Sequence, residues 1–204
     1  WMDWENSYFT MSDENNYAIW YFLKKCHENG LLYKGRDVVP WCPRCGTAIS
    51  QHEILTEEYK EISHKSIFFR VPLVGEKDTY FLVWTTTPWT LPANVALAFH
   101  PEFLYAKIKG GDGKNYILLK DKADLIPEGE IVEVFKGKEL EGLEYQGLFD
   151  ELPQVKENLK NYKHSTILWK EVTLEEGTGI VHIAPGCGQE DFQSVSYTHL
   201  TLPT

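Results

Sequence analysis

Residues 63–84 read SHKSIFFRVPLVGEKDTYFLVW, and the period of that stretch decides the fold. Ile67, Phe69, Val71 and Leu73 alternate with Phe68, Arg70 and Pro72, the two-residue repeat of a strand with one buried face. Residues 75–78 supply turn chemistry, and the apolar run over 80–84 returns as a second strand. The same period continues downstream. Leu104, Ala106 and Ile108 alternate with Tyr105, Lys107 and Lys109, and Gly110-Gly111-Asp112-Gly113 turns that strand into 116–119 as a hairpin. Further strands are expected over 131–135, 166–172 and 179–183, with a helix over 120–126. No strand–helix–strand alternation is present, so residues 56–194 read as a strand-rich mixed α/β domain, a curved sheet or barrel.

Upstream the period changes. Residues 12–30 predict a helix, capped by Ser12, with Asp13 and Glu14 at its positive end and Gly30 just past its last turn. Its apolar face is Ile19, Phe22, Leu23 and Cys26. A turn-rich stretch, 35–46, then carries a cysteine pair. One helix and one knuckle cannot bury a core alone, so residues 1–55 are expected to be part of another domain. Residues 195–204 show no clear period and are assigned no structure.

With 43% hydrophobic and 14% aromatic residues among 204, the chain has enough apolar material for one sizeable core. A formal charge of −10 argues against holding nucleic acid by broad phosphate neutralisation, so no DNA partner is expected and any RNA contact should be local, at one end. The run over 80–84 is too short to span a bilayer, and the acidic start around Asp3 and Glu5 is not a secretory n-region. Four cysteines are too few for a disulfide scaffold in a chain of this length, which points to a reducing compartment, the cytoplasm.

Three motifs carry chemistry. In Trp41-Cys42-Pro43-Arg44-Cys45-Gly46 two thiols two residues apart can chelate one zinc, but two further ligands are needed, with His52 the only imidazole nearby in sequence. A redox role would want a strand–helix–strand context that is missing. The string over 84–94, WTTTPWTLPAN, places Thr85, Thr86, Thr87 and Thr90 where an apolar strand ends and two prolines turn the chain away. Such a rim can hold a water and a sugar hydroxyl, although threonine is also simply a good strand residue. In 177–192, GTGIVHIAPGCGQEDF, a strand ending in His182 enters a Pro/Gly loop that returns Asp191 towards the strand end. Taken alone, His182 could be a core histidine and Asp191 a helix cap. Cys187 has no base partner in the sequence pattern to make it a nucleophile. The remaining histidines read as surface residues.

Together the second and third motifs resemble the connective-peptide editing domain of the isoleucyl-tRNA synthetases, within the class I aminoacyl-tRNA synthetases. The resemblance covers residues 1–194: Trp1-Met2-Asp3-Trp4 and the segment over 40–46 are similar to the part of the Rossmann-type catalytic domain that leads into that insertion. Valyl and leucyl relatives carry Arg after Thr-Thr, where this chain has Thr87-Pro88-Trp89. The resemblance implies a fragment that hydrolyses valine misattached to the acceptor end of tRNA(Ile). Asp191 would then hold the α-ammonium and His182 would wall out isoleucine. Thr85, Thr86, Thr87, Thr90, Asn94 and Trp89 would hold the terminal adenosine and the attacking water. The ATP and magnesium of the parent ligase are not expected here, because motifs of the HIGH and KMSKS type are not in the sequence. Nor is the second cysteine pair that would complete a zinc site with Cys42 and Cys45, so zinc is expected at low occupancy. Two rivals stand: the editing domain of a valyl or leucyl synthetase, and a zinc-knuckle RNA-binding module without chemistry.

Overall fold

A computed structural model describes residues 3–35, 37–56, 61–175 and 177–198, with side chains to 195. The chain divides into two compact units, Trp1–Asp37 and Val38–Thr204. Within the first, helix α1 (Asp13–Glu28) starts where Ser12 Oγ accepts the Asn15 amide at 3.2 Å. It ends where Gly30 adopts φ +71° and Leu31 N donates to Cys26 O. Both caps match the sequence expectation. The expected apolar face does not sink into a core, however: no residue of α1 is buried, and Phe22 is 64% exposed.

The second unit opens with the knuckle, an antiparallel pair β1 (Trp41–Cys42) and β2 (Thr47–Ala48), and a short helix α2 (Gln51–Thr56). Strands β3 (Ile67–Pro72), β4 (Thr79–Thr85), β5 (Ala96–Phe99), β6 (Leu104–Lys109), β7 (Asn115–Leu119) and β8 (Glu130–Lys136) follow, then helix α3 (Pro153–Leu159), β9 (Ser165–Leu168), β10 (Ile180–Ile183) and helix α4 (Gln189–Thr198). They form two sheets. One has the order β3-β4-β7-β6-β8, antiparallel except for β4 with β7; the other has the order β10-β5-β9, with β5 and β9 parallel. Both orders are open, so of the two expected shapes the sheet stands and the barrel does not. No strand–helix–strand unit joins the parallel pairs, because each crossover passes through other strands of the domain.

Strand β4, expected from sequence as a continuous apolar run, in fact alternates: Thr79, Phe81, Val83 and Thr85 face inward. Their apolar members meet Leu97, Phe99, Tyr105 and Leu119 in the main core. Phe81 and Tyr105 set their rings edge-on to Phe99, with centroids 5.4 and 5.1 Å away. Such pairs contribute about 0.5–1.5 kcal/mol each beyond burial. Strand β5 is buried on both faces, Leu97 and Phe99 toward that core and Ala96 and Ala98 toward a second one holding Ile167, Ile183 and Val195. A strand buried on both sides shows no alternation, which is why the sequence did not reveal it.

Three expectations change. The strand expected over 166–172 ends at Leu168, because Trp169 turns the chain and its carbonyl accepts Val172 N. The helix expected over 120–126 is a 3-10 helix, Lys120–Leu125. The stretch assigned no structure from Val195 is helical as far as Thr198, where burial of Val195 overrides a weak pattern; residues 199–204 lie outside the described residues.

Candidate active site

Strand β4 ends at Thr85, and Pro88 and Pro92 then bend the chain into a 3-10 turn, Pro88–Ala93, which stacks the threonine hydroxyls in a row. Thr87 N donates to Thr85 Oγ1 at 3.1 Å, and Thr87 Oγ1 lies 3.3 Å from both Thr85 Oγ1 and Thr90 Oγ1. Strand β10, which lies against β4, brings His182 to the same place. Helix α4 then returns Asp191 to the end of β10, where its Oδ2 accepts the Ala184 amide at 3.0 Å. These elements enclose a cleft of about 350 Å³, lined by Thr85, Thr86, Thr87, Trp89, Thr90, His182 and Asp191 among others. Seven of the eight residues proposed from sequence for catalysis and substrate binding therefore share one wall-to-wall site.

Asn94, the eighth, stands behind that wall. Its Nδ2 donates to Ala96 O at 2.9 Å and to His182 Nδ1 at 3.1 Å, while its Oδ1 accepts the Tyr145 hydroxyl at 2.6 Å. Since Asn94 donates to Nδ1, the proton of a neutral His182 sits on Nε2 and is donated to Thr90 Oγ1 at 2.7 Å. Thr90 Oγ1 donates in turn to Thr87 O at 2.8 Å. His182 is 7% exposed, and burial holds its pKa down at about 4, so the ring is neutral at physiological pH. Burial, chiefly, and the neighbouring Glu190 charge raise the Asp191 carboxyl above its usual range, against the pull of the Ala184 amide. An ionised Asp191 is thus an under-compensated anion facing a small cleft, suited to a cationic ligand group. Glu190 itself is exposed and does not line the cleft.

Cys187 lines the cleft, but burial and Asp191 push its thiol up, away from the thiolate a nucleophile needs. At the knuckle, Cys45 N donates to Cys42 Sγ at 3.4 Å and Gly46, at φ +68°, donates to Cys42 O. That loop suits two metal ligands. Among the described residues no group of three or more His, Cys, Asp or Glu gathers, so they do not build a closed tetrahedral zinc site around the pair, and His52 does not join it. One histidine departs from the surface reading: His164 is 5% exposed, with Nε2 3.0 Å from Asp150 Oδ1 and its ring against Tyr145. Tyr145 itself gave no signal in the sequence. It lies in an irregular stretch and reaches the site through an isolated bridge to Leu73.

Comparison with known proteins finds relatives both in sequence and in fold. Isoleucine–tRNA ligases match most of the chain: that of Pyrococcus horikoshii is 48% identical over 95% of it, that of Pyrococcus furiosus 48% over 95%, and that of Methanocaldococcus jannaschii 42% over 95%. The chain spans about a fifth of the length of these curated relatives, 19%, 19% and 20% respectively. In fold the chain is similar to the crystal structure of GlLeuRS-CP1, with TM-score 0.54 and 13% identity over 65% of this chain and 59% of that one. It is also similar to the Plasmodium knowlesi cytosolic leucyl-tRNA synthetase editing domain, with TM-score 0.51 and 13% identity over 66% and 64%. The model of the family "tRNA synthetases class I (I, L, M and V)" matches residues 1–185, and the chain belongs to that family.

Proposed function

We propose that this chain carries the hydrolytic editing site of an isoleucyl-tRNA synthetase and clears valine from tRNA(Ile). The observation that carries the reading is the convergence of Asp191, a neutral and doubly held His182, and the threonine row on one cleft of about 350 Å³. Such a site answers a physical need. One methylene is worth only about 1–3 kcal/mol in a hydrophobic pocket, a limit for which isoleucine against valine is itself the standard example, so a synthetic site alone is too permissive.

In the reaction, Asp191 takes the α-ammonium of the aminoacyl ester in a charge-assisted contact. The His182 ring stands as a wall whose position is set on both nitrogens, so a side chain one methylene longer than valine meets it. Thr85, Thr86, Thr87 and Thr90 offer hydroxyls to the terminal ribose and to the attacking water, and Trp89, exposed at the mouth, offers a face to the adenine. Water adds to the ester carbonyl, the bond from that carbon to the ribose oxygen breaks, and the ribose oxygen takes the proton. Free valine and intact tRNA leave, with no covalent protein intermediate. In this reading residues 56–194 are the editing domain and 1–55 a strip of the catalytic domain of a cytoplasmic ligase. The longer protein joins isoleucine to tRNA(Ile) with ATP and magnesium, to which the residues of this site contribute nothing.

The test is deacylation of valyl-tRNA(Ile) and isoleucyl-tRNA(Ile), side by side, by the purified chain against a heat-inactivated control. Valyl ester cleared and isoleucyl ester spared is the expected result. Equal hydrolysis of both, or none of either, overturns the reading.

A further inference from the structure

Behind the cleft wall, a polar relay enters the site from the core, and its outermost member has not been placed in the chemistry. Tyr145 is 3% exposed and lies among the apolar side chains of the main core. Its hydroxyl reaches Asn94 Oδ1 at 2.6 Å, and burial lifts its pKa well above the ordinary phenol value, so it remains a donor at any working pH. The two ends of an Asn amide are alike in shape and opposite in hydrogen bonding. Here Ala96 O selects the orientation, accepting from Nδ2 at 2.9 Å, and Tyr145 closes it from the Oδ1 side. The second Nδ2 proton then goes to His182 Nδ1.

We propose that Tyr145 is a positioning residue for the editing reaction: by pinning the Asn94 amide it holds His182 as the single tautomer protonated on Nε2. This rests on the editing function proposed above. The tautomer matters because Nε2–H makes Thr90 Oγ1 an acceptor, which sends the Thr90 proton to Thr87 O. The opposite tautomer would turn Nε2 into an acceptor and pull the Thr90 proton away from Thr87 O, reversing the rim at the point where the ribose and water are held. Without the Tyr145 hydroxyl, the part-buried Asn94 Oδ1 loses its donor, and the Ala96 contact alone is left to hold the amide against rotation.

The experiment uses the whole chain, its Tyr145→Phe variant, and Tyr162→Phe as a matched control that likewise loses a part-buried hydroxyl bond, to Val95 O outside the relay. Nitrogen-15 spectra of the histidine rings report the tautomer directly. Wild-type His182 should show a protonated Nε2 and a bare Nδ1; a proton on Nδ1 overturns the proposal whatever the variants do. In Tyr145→Phe the two nitrogens should move toward averaged values, and single-turnover deacylation of valyl-tRNA(Ile) should fall about tenfold with half-saturation unchanged. Tyr162→Phe should keep the wild-type rate and spectrum. A folded Tyr145→Phe with the wild-type tautomer and rate removes the proposal and leaves the editing function standing. A wild-type chain that leaves valyl-tRNA(Ile) intact removes the editing function, and the proposal with it.

Discussion

At the scale of the residue, the site is built from one carboxyl whose ionised form burial disfavours and one imidazole that burial keeps neutral at physiological pH. Asp191 has a raised pKa because it is half-buried, so its ionised form costs the free protein stability at neutral pH. The sign follows from linkage. A carboxyl raised above its unfolded value binds its proton more tightly in the folded state, so its contribution is greatest in acid and is lost as pH rises through the folded pKa. Asp191→Asn keeps an acceptor for the Ala184 amide and removes the charge. It should melt no lower than wild type at pH 7 while deacylating valyl-tRNA(Ile) at least two orders of magnitude more slowly, since an uncompensated buried ammonium costs about 3–5 kcal/mol and about 1.4 is tenfold in rate. Glu190→Ala, exposed beside it, should keep its rate. If Asp191 only capped α4, the asparagine variant would keep activity. His182 gives the opposite pH signature. Its pKa falls from 6.5 to about 4 on folding, so the stability it allows is complete above 6.5 and is lost as pH drops toward 4. His182→Gln should flatten that acid limb in a pH series of thermal midpoints. His182→Ala should open the wall and let isoleucyl-tRNA(Ile) be hydrolysed beside the valyl ester; continued rejection by a folded variant would place the sieve elsewhere.

Elements decide where those residues meet, and they were unequally legible. The threonine string and the His182–Asp191 spacing could be read because each sits at the end of a strand whose burial is one-sided or bounded by Pro and Gly. Strand β5 could not, since both its faces are buried, and Tyr145 could not, since an isolated bridge rather than a regular element delivers it. Asn94 was legible as important but not as to position: its string runs along the rim, yet its amide is turned inward to Ala96 and His182. The loop entering β10 shows how tightly an element can be held. Gly177 has φ +67°, and a Cβ there would meet the Trp84 ring at 2.7 Å; Gly75 has φ +89° with open space around it. Both positions disfavour an L side chain by about 1–2 kcal/mol. Only Gly177→Ala must also displace Trp84, which lines the cleft. Gly75→Ala should therefore lower stability by about that amount and leave deacylation intact, while Gly177→Ala should lose more stability and most activity. Equal kinetics for the two folded variants would detach Trp84 from the site.

For the whole molecule, the two units contribute unequally to the proposed editing site. Every residue placed in the cleft, and both members of the relay behind it, belong to the unit Val38–Thr204. The unit Trp1–Asp37 has a helix with sound caps but no buried residue, so its order draws on local propensity rather than on a core. A lone helix of 16 residues stands only just above the length, about 12–15 residues, below which isolated helices are marginal in water because nucleation is costly. Its exposed Tyr17, Trp20, Tyr21 and Phe22 make it a liability for solubility instead. A chain beginning at Val38 should consequently show the same main unfolding transition as the whole chain, deacylate valyl-tRNA(Ile) at the same rate, and bind less of a hydrophobic dye. Circular dichroism should lose helical signal with no loss of near-ultraviolet signal from the Phe99–Tyr105 core. Changing Cys42 and Cys45 together to Ser in that shortened chain should also leave the rate unchanged, because neither thiol lines the cleft. A rate that falls with removal of residues 1–37, at an unchanged melting temperature, would mean that the first unit contributes to holding the tRNA end, and that the editing site is larger than the cleft between β4, β10 and α4.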